Sequence, residues 1–270
     1  MDDAMLLFGM AGMLMILGGV AGILAGLLGV GGGIILVAAF FYVFSVLGFA
    51  GPDLMQMCLA TSLATIIVTS VRSVLAHHKK GAVDWTILRG WAPGIVVGAA
   101  LGVGIAATLR SEFLQLIFAV LATTVGLFMV FGRVNWRLGQ AMPTGPFRIV
   151  FSPVIGFLSV LMGIGGGSFG VPVMTLFHVP IHRAVATAAG FGVIIAVPSV
   201  IGFLFVGVEN APPLTVGSVN LIAFGIVIAM TLITAPWGAA LAHKMDPVPL
   251  RRVFGGFMIL VALNMLRQAL

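Results

Sequence analysis

Apolar runs, each long enough to cross a bilayer as a helix, follow one another from end to end of this chain, with charges confined to the gaps between them. A spanning helix needs about 20 apolar residues to cross a hydrocarbon core of roughly 30 Å. Only 7% of the 270 residues are Asp, Glu, Lys or Arg, against roughly 25% in an ordinary soluble domain. No stretch is left over for a soluble domain. The sequence therefore predicts an all-α polytopic membrane protein. Its start, Met1-Asp2-Asp3, is acidic where a secretory signal would be basic, so the first run is expected to be a mature span.

Two of the apolar runs are broken by glycine. Gly29, Gly31, Gly32 and Gly33 interrupt the first, and Gly163, Gly165, Gly166 and Gly167 interrupt a second segment of closely similar sequence. The likeness continues: Ala60 and Thr61 match Ala186 and Thr187, Val83 and Asp84 match Val219 and Asn220, and Leu114 and Phe118 match Leu250 and Phe254. Self-similarity on this scale indicates a duplication. The first unit, 1–132, has arms at about 4–28 and 34–50 around its break, then spans at about 55–77, 85–109 and 112–132. A polar linker at 133–148, carrying Arg137, Pro143 and Pro146, leads to the second unit, 149–270. There the arms lie at about 149–164 and 168–178 and the spans at about 183–206, 217–243 and 249–269. Gly18, Gly22 and Gly26, and again Gly94, Gly98 and Gly102, lie four apart and form smooth helical stripes for close helix approach.

Lys and Arg concentrate in the loops at 72–80, 133–148 and 243–252, which the positive-inside rule places in the cytoplasm. The loops at 50–53 and 206–216 carry only Asp53 and Glu209 and face outward. Tracing the chain through these assignments puts both termini outside, and each glycine break becomes the tip of a hairpin. One hairpin enters from each side, so the units are expected to be inverted-topology repeats about an axis in the membrane plane. The second hairpin's arms, about 15 and 11 residues or roughly 22 and 17 Å at helical rise, fall short of a full crossing, which makes that hairpin re-entrant. The first has longer arms, and its tip fits either a re-entrant turn or a full-span turn.

Successive glycines leave backbone amides uncovered and admit positive φ, so their N–H groups can converge on an anion. The helix that starts after each tip adds unpaired N–H groups and a positive dipole end. Gly31, Gly32, Gly33, Gly165, Gly166 and Gly167 are therefore candidate substrate ligands, with the Ser168 hydroxyl beside them. The competing reading is that these glycines only let helices cross closely. Ser62, Thr65, Thr69 and Arg72 share one helical face. They could line a route from the tips to the cytoplasm, unless the hydroxyls bond their own backbone and Arg72 snorkels. Thr61 and Thr187, present in both units, fit a site on the pseudo-twofold axis.

Asp2, Asp3, Asp53, Asp84, Glu112, Glu209 and Asp246 all fall at span ends or in loops, so a mid-membrane proton relay or carboxylate cation site lacks its residues. A lone cysteine, Cys58, excludes an intramolecular disulfide and a multi-cysteine metal site. His178 and His182 are separated by Pro180 and share no helical face, while His77 and His78 sit in a basic loop, so no metal site is expected. There is neither a Walker motif nor a plausible triad, hence no catalytic residues, no cofactor and no enzyme activity are expected. The net charge of +6 is dispersed over short loops, which argues against a nucleic-acid partner.

The paired motifs Gly29-Val30-Gly31-Gly32-Gly33 and Gly163-Ile164-Gly165-Gly166-Gly167 carry a family resemblance, together with Ala60-Thr61-Ser62, Ala186-Thr187-Ala188 and Gly81-Ala82-Val83-Asp84. The chain resembles, over essentially its whole length, the TauE/SafE family of sulfite exporters, also described as 4-toluene sulfonate uptake permeases (TSUP). The resemblance implies secondary transport of small sulfur-containing anions, such as sulfite, sulfoacetate or other sulfonates, in a bacterial inner membrane. Alternating access would turn on a midplane anion site. The partners implied are that anion and the lipid bilayer, and a homo-oligomer is compatible with the sequence. Export of an anion runs with the membrane potential, about 2.3 kcal/mol per charge per 100 mV, whereas uptake needs a coupling ion. The rival readings are an anion channel with the tips as selectivity filter, and an uptake permease for another small anion or a metal ion.

Overall fold

The computed structural model describes residues 3–28, 32–132, 137–242 and 247–269. The first half holds α1 (Asp3–Leu28), α2 (Gly33–Val46), α3 (Leu54–Lys79), α4 (Trp85–Thr108) and α5 (Ser111–Phe131). The second holds α6 (Pro146–Leu161), α7 (Gly167–Leu176), α8 (Ile181–Phe203), α9 (Leu221–Ala242) and α10 (Pro247–Ala269). Among the described residues, six helices are long and apolar enough to cross a membrane: α1, α3, α4, α5, α8 and α9. The apolar helices α2, α6 and α7 are shorter, at 14, 16 and 10 residues.

The helices follow the apolar runs to within a few residues, with two informative departures. The run expected to be helical from 217 instead starts as a minimal antiparallel pair, β1 (Thr215–Val216) and β2 (Val219–Asn220), turned through Gly217 at φ +57°. Asn220 ends the pair and starts α9: its Oδ1 accepts from Ala223 N at 2.8 Å, and its Nδ2 donates to Pro213 O and Thr215 Oγ1. The second departure is the start of α6 at Pro146, inside the stretch read as linker. A proline in the first turn of a helix gives up only an amide that would lack a partner there anyway. Residues 133–136 of that stretch lie outside the described residues.

Lipid tails are as apolar as leucine, so helices in a bilayer associate through close contact at small residues. The Gly94, Gly98 and Gly102 stripe of α4 receives Ser152, Pro153 and Val160 of α6, and Gly156 of α6 lies on Ile95 and Ala99 of α4. Likewise Gly18 and Gly22 of α1 meet Val227 and Thr231 of α9, while Gly238 of α9 lies on Ile23 and Leu27 of α1. Thus α4 packs on α6 and α1 on α9, while α3 packs on α8 and α5 on α10. Exchanging the two halves maps every one of these pairings onto another or onto itself.

Loops sort into two faces. On one, Ser111 N donates to Pro52 O at 2.7 Å, Glu209 N to the Asp53 carboxylate at 3.1 Å and Asn210 Nδ2 to Gly48 O at 3.2 Å. On the other, Leu138 N donates to Leu176 O at 2.8 Å, His178 Nδ1 lies 2.8 Å from Gly139 O, and Arg183 pairs with Asp84 at 3.1 Å. The first set brings together the loops at 50–53 and 206–216, both read as outward, and the second includes 138–139 of the stretch read as cytoplasmic. The segment leading into α6 and the last residue of α7 therefore meet on this second, basic face. Among the described acids, Asp3 begins α1, Asp53 and Asp84 stand at helix N-caps, Glu112 in the first turn of α5 and Glu209 in a loop.

Candidate functional site

Helix α6 ends in a glycine-terminated cap: Gly163, at φ +59°, donates its N–H to Val160 O, and Ile164 N donates to Ser159 O, both at 2.9 Å. This is the arrangement expected where a left-handed residue closes a helix. From there the chain passes through Gly165 and Gly166 into α7. Gly166 presses on α8, where a Cβ would come within 2.6 Å of Ala188 O and 3.0 Å of Gly192 N. The first tip reaches the same place. Gly32 takes φ +66°, and a Cβ on the following Gly33 would lie 2.8 Å from Gly163 O and 2.9 Å from Ile164 Cα. The Ser62 hydroxyl of α3 bridges both, donating to Gly163 O at 2.7 Å and lying 3.3 Å from Gly33 O. Gly31, named above as a ligand, lies outside the described residues, as do Gly29 and Val30.

Beside the second tip is a cavity of about 60 Å³, lined by Gly165, Gly166 and Gly167, by Thr69, Ser70 and Ser73 of α3, and by Val185, Ala188 and Ala189 of α8. One water requires roughly 15 Å³ of such space, so the cavity has room for a few waters or one small polyatomic anion. The first bond into α7 runs from Gly170 N to Gly166 O at 2.8 Å. The amides of Gly165, Gly166, Gly167, Ser168 and Phe169 donate to no backbone carbonyl among the described residues, as expected for the unsatisfied start of a helix. The Ser70 and Ser73 hydroxyls likewise have no protein partner among the described residues, and no Lys, Arg or His lines the space. What the wall offers is a set of neutral hydrogen-bond donors at the positive end of a helix.

The other candidate residues are placed as follows. Thr61 Oγ1 accepts from Asn220 N at 3.1 Å and Thr187 Oγ1 accepts from Asp84 N at 2.9 Å, so each half's third helix holds the start of the other half's fourth. Asp84 also caps α4, its Oδ1 accepting from Thr86 N and Ile87 N at 3.1 Å. Thr65 Oγ1 donates to Ser62 O at 2.7 Å and Thr69 Oγ1 to Thr65 O at 3.2 Å. Ser168 is buried in the first turn of α7, and Arg72 is exposed. Hence Thr69, its hydroxyl also donating to the backbone of α3, joins Gly165, Gly166 and Gly167 at the cavity, whereas Thr61, Ser62, Thr65 and Thr187 are engaged by the protein away from it. Ser70 and Ser73 escaped the sequence reading; their spacing of three beside Thr69 was the available signal.

Thr61→Val leaves the buried Asn220 amide, and Thr187→Val the part-buried Asp84 amide, without its acceptor, at a cost of up to about 3 kcal/mol. Each is expected to lower the thermal unfolding midpoint of the purified protein. Unchanged midpoints in both variants would contradict this pairing.

The sequence profile of the family described as Sulfite exporter TauE/SafE matches residues 14–265, from α1 through both glycine tips into α10. The chain belongs to the TauE/SafE family. A probable membrane transporter protein of Haemophilus influenzae is 30% identical over 237 residues, covering 87% of this chain and 90% of its own. One of Methanocaldococcus jannaschii is 26% identical over 266 residues, 94% of each chain. The probable membrane transporter protein YunE of Bacillus subtilis is 28% identical over 195 residues, 65% of this chain and 71% of its own. No solved structure matches significantly. Family, relatives and six apolar helices together make this TauE/SafE protein a multi-pass membrane transporter.

Proposed function

We propose that this TauE/SafE protein is a secondary transporter that binds a small sulfur-containing oxyanion, of the class of sulfite, sulfoacetate or other sulfonates, at the second glycine tip. The observation that carries the reading is the run of unpaired amides at 165–169 beside a cavity walled by hydroxyls and free of charged side chains. Amides at a helix N-terminus attract an anion through their N–H groups and the helix dipole. With no full positive charge to hold it, the bound anion can also leave.

In this reading the halves are inverted-topology repeats, α6 and α7 form a re-entrant hairpin, and the basic face is cytoplasmic, with both termini outside a bacterial inner membrane. The exchange of helix pairings between the halves supports the repeat, and the short α6 and α7, meeting through Leu138 and Leu176, support the hairpin. Matching Thr61 to Thr187 sets Thr69, Ser70 and Ser73 opposite Ile195, Ala196 and Ser199, which are fully buried, and Ser199 Oγ donates to Ile195 O at 2.7 Å. Gly33, Ile34 and Ile35 at the first tip are buried as well. Space beside one tip and close packing beside the described part of the other is what a carrier open to one side would have. Exchanging the two environments would open the other side. Export needs no coupling ion, since the membrane potential already drives an anion outward.

Flux into proteoliposomes tests the reading. Sulfite or a sulfonate is expected to move with saturation and to exchange with the same anion across the membrane. Flux linear in concentration would indicate a channel, and indifference to every sulfur anion would overturn the substrate class. Ser70→Ala and Ser73→Ala each remove a hydrogen bond to a charged group worth about 1.5–3 kcal/mol, so half-saturation should rise about ten- to a hundredfold. Unaltered half-saturation in both would remove these hydroxyls from the site.

A further inference from the structure

Where α4 crosses α6 near the basic face, two arginines have no carboxylate partner among the described residues. The half-buried Arg148 of α6 lies across Gly90 of α4, where a Cβ would come within 2.9 Å of its Nη1. The residue preceding Gly90, Arg89, lies over the Trp85 ring, 5.9 Å from its centroid, and the Trp85 indole N–H donates to His78 Nδ1 at 3.2 Å. The ion pairs among the described residues are Arg110 with Glu112 and Arg183 with Asp84, so neither of these two guanidinium groups is neutralised there. Apolar surface continues from them. Phe147 and Phe151 of α6 stack at 6.3 Å while 67% and 47% exposed, and Val154 of α6 and Val97 and Leu101 of α4 are exposed beyond them.

Cationic groups at the rim of a membrane protein, next to an uncovered apolar face, match the two ends of a phospholipid. Guanidinium presents a planar fork of donors that suits phosphate oxygens, and basic pockets between membrane helices on the cytoplasmic side are where acidic headgroups bind. We propose that Arg89 and Arg148 form a headgroup site for an anionic phospholipid, its phosphate held between the two guanidinium groups and its acyl chains lying along Phe147 and Phe151. Free phosphate could use the arginines but would leave the aromatic face uncovered, which favours the lipid. The site lies apart from the cavity residues on α3, α7 and α8, and it stands whether or not the sulfur-anion reading holds. Because α6 runs directly into Gly163, a lipid there would brace the helix that carries the second tip against α4.

The test uses the intact protein in neutral detergent, titrated separately with phosphatidylglycerol, phosphatidylcholine and inorganic phosphate. Phosphatidylglycerol is expected to raise the unfolding midpoint by several degrees and to stay bound in native mass spectra. In the double variant Arg89→Gln/Arg148→Gln at least half of that shift should be lost, while Lys80→Gln on the same face keeps it. Arg89→Gln alone, at an exposed position, gives the same comparison should the double variant fail to fold. An equal shift with phosphatidylcholine, a shift reproduced by inorganic phosphate, or an undiminished response in the arginine variants would each overturn the proposal.

Discussion

Gly166→Ala is expected to abolish anion transport while leaving the protein folded in the membrane. The added methyl would meet Phe191 and approach Ala188 O to 2.6 Å and Gly192 N to 3.0 Å. Two of these neighbours are backbone of α8, so no side chain can swing aside. Nor is α8 free to retreat, because Thr187 holds the start of α4 through Asp84 N. The start of α7 must lift instead, and the amides at 165–169 lose their common aim. Overpacking of this kind costs about 1–3 kcal/mol of stability, which a membrane bundle survives. Losing two hydrogen bonds to a bound anion, at about 1.5–3 kcal/mol each, weakens binding at least about a hundredfold. Gly104→Ala is the control, since a methyl there meets nothing within 4 Å. Flux and thermal unfolding measured on the same preparations separate the two effects; Gly166→Ala with full flux would remove the second tip from the site.

Gly98→Leu is expected to be the most damaging change to the fold itself. A Cβ at Gly98 would lie 2.6 Å from the carbonyl carbon and 2.7 Å from the Cα of Pro153, both backbone of α6. Leucine adds further carbons to a contact that does not admit the first. The crossing of α4 and α6 must open, and α6 carries the second tip with it. A loss exceeding about 3 kcal/mol is expected, seen as a sharp fall in monodisperse protein after extraction. On the same helix Gly104→Leu points into open space and should behave as wild type. Comparable yields and midpoints for the two variants would contradict the described crossing.

Contrasts of this kind show which parts of the molecule were legible in the sequence. The Gly94, Gly98 and Gly102 stripe could be read because a spacing of four fixes one helical face, whatever helix comes to meet it. The matched pairs Thr61 with Thr187 and Asp84 with Asn220 were visible as repetition. What repetition could not say is that each threonine accepts a bond from the other half's acid or amide position, since that contact joins residues far apart in the chain. Ser62 is similar: its polarity is local information, but its engagement by Gly163 O depends on where the second tip docks. Ser70 and Ser73 lie one residue on from Thr69 and Arg72, on the adjacent face of the same helix. Periodicity alone cannot rank two adjacent faces when the cavity takes Thr69 from one and both Ser70 and Ser73 from the other. The β1–β2 pair was hidden inside an apolar run, its turn at Gly217 and cap at Asn220 being weak signals beside the hydropathy.

The central claim, that the cavity beside the second tip is the anion site, is tested most directly by thiol labelling of Ser70→Cys. The natural chain has one cysteine, Cys58, which is fully buried, so the new thiol stands alone at the cavity. A membrane-impermeant thiol reagent is expected to modify it from one side of the membrane, and a saturating concentration of a transported sulfur anion should slow that modification several-fold. Modification at the same rate with and without every anion that the protein transports would contradict the account.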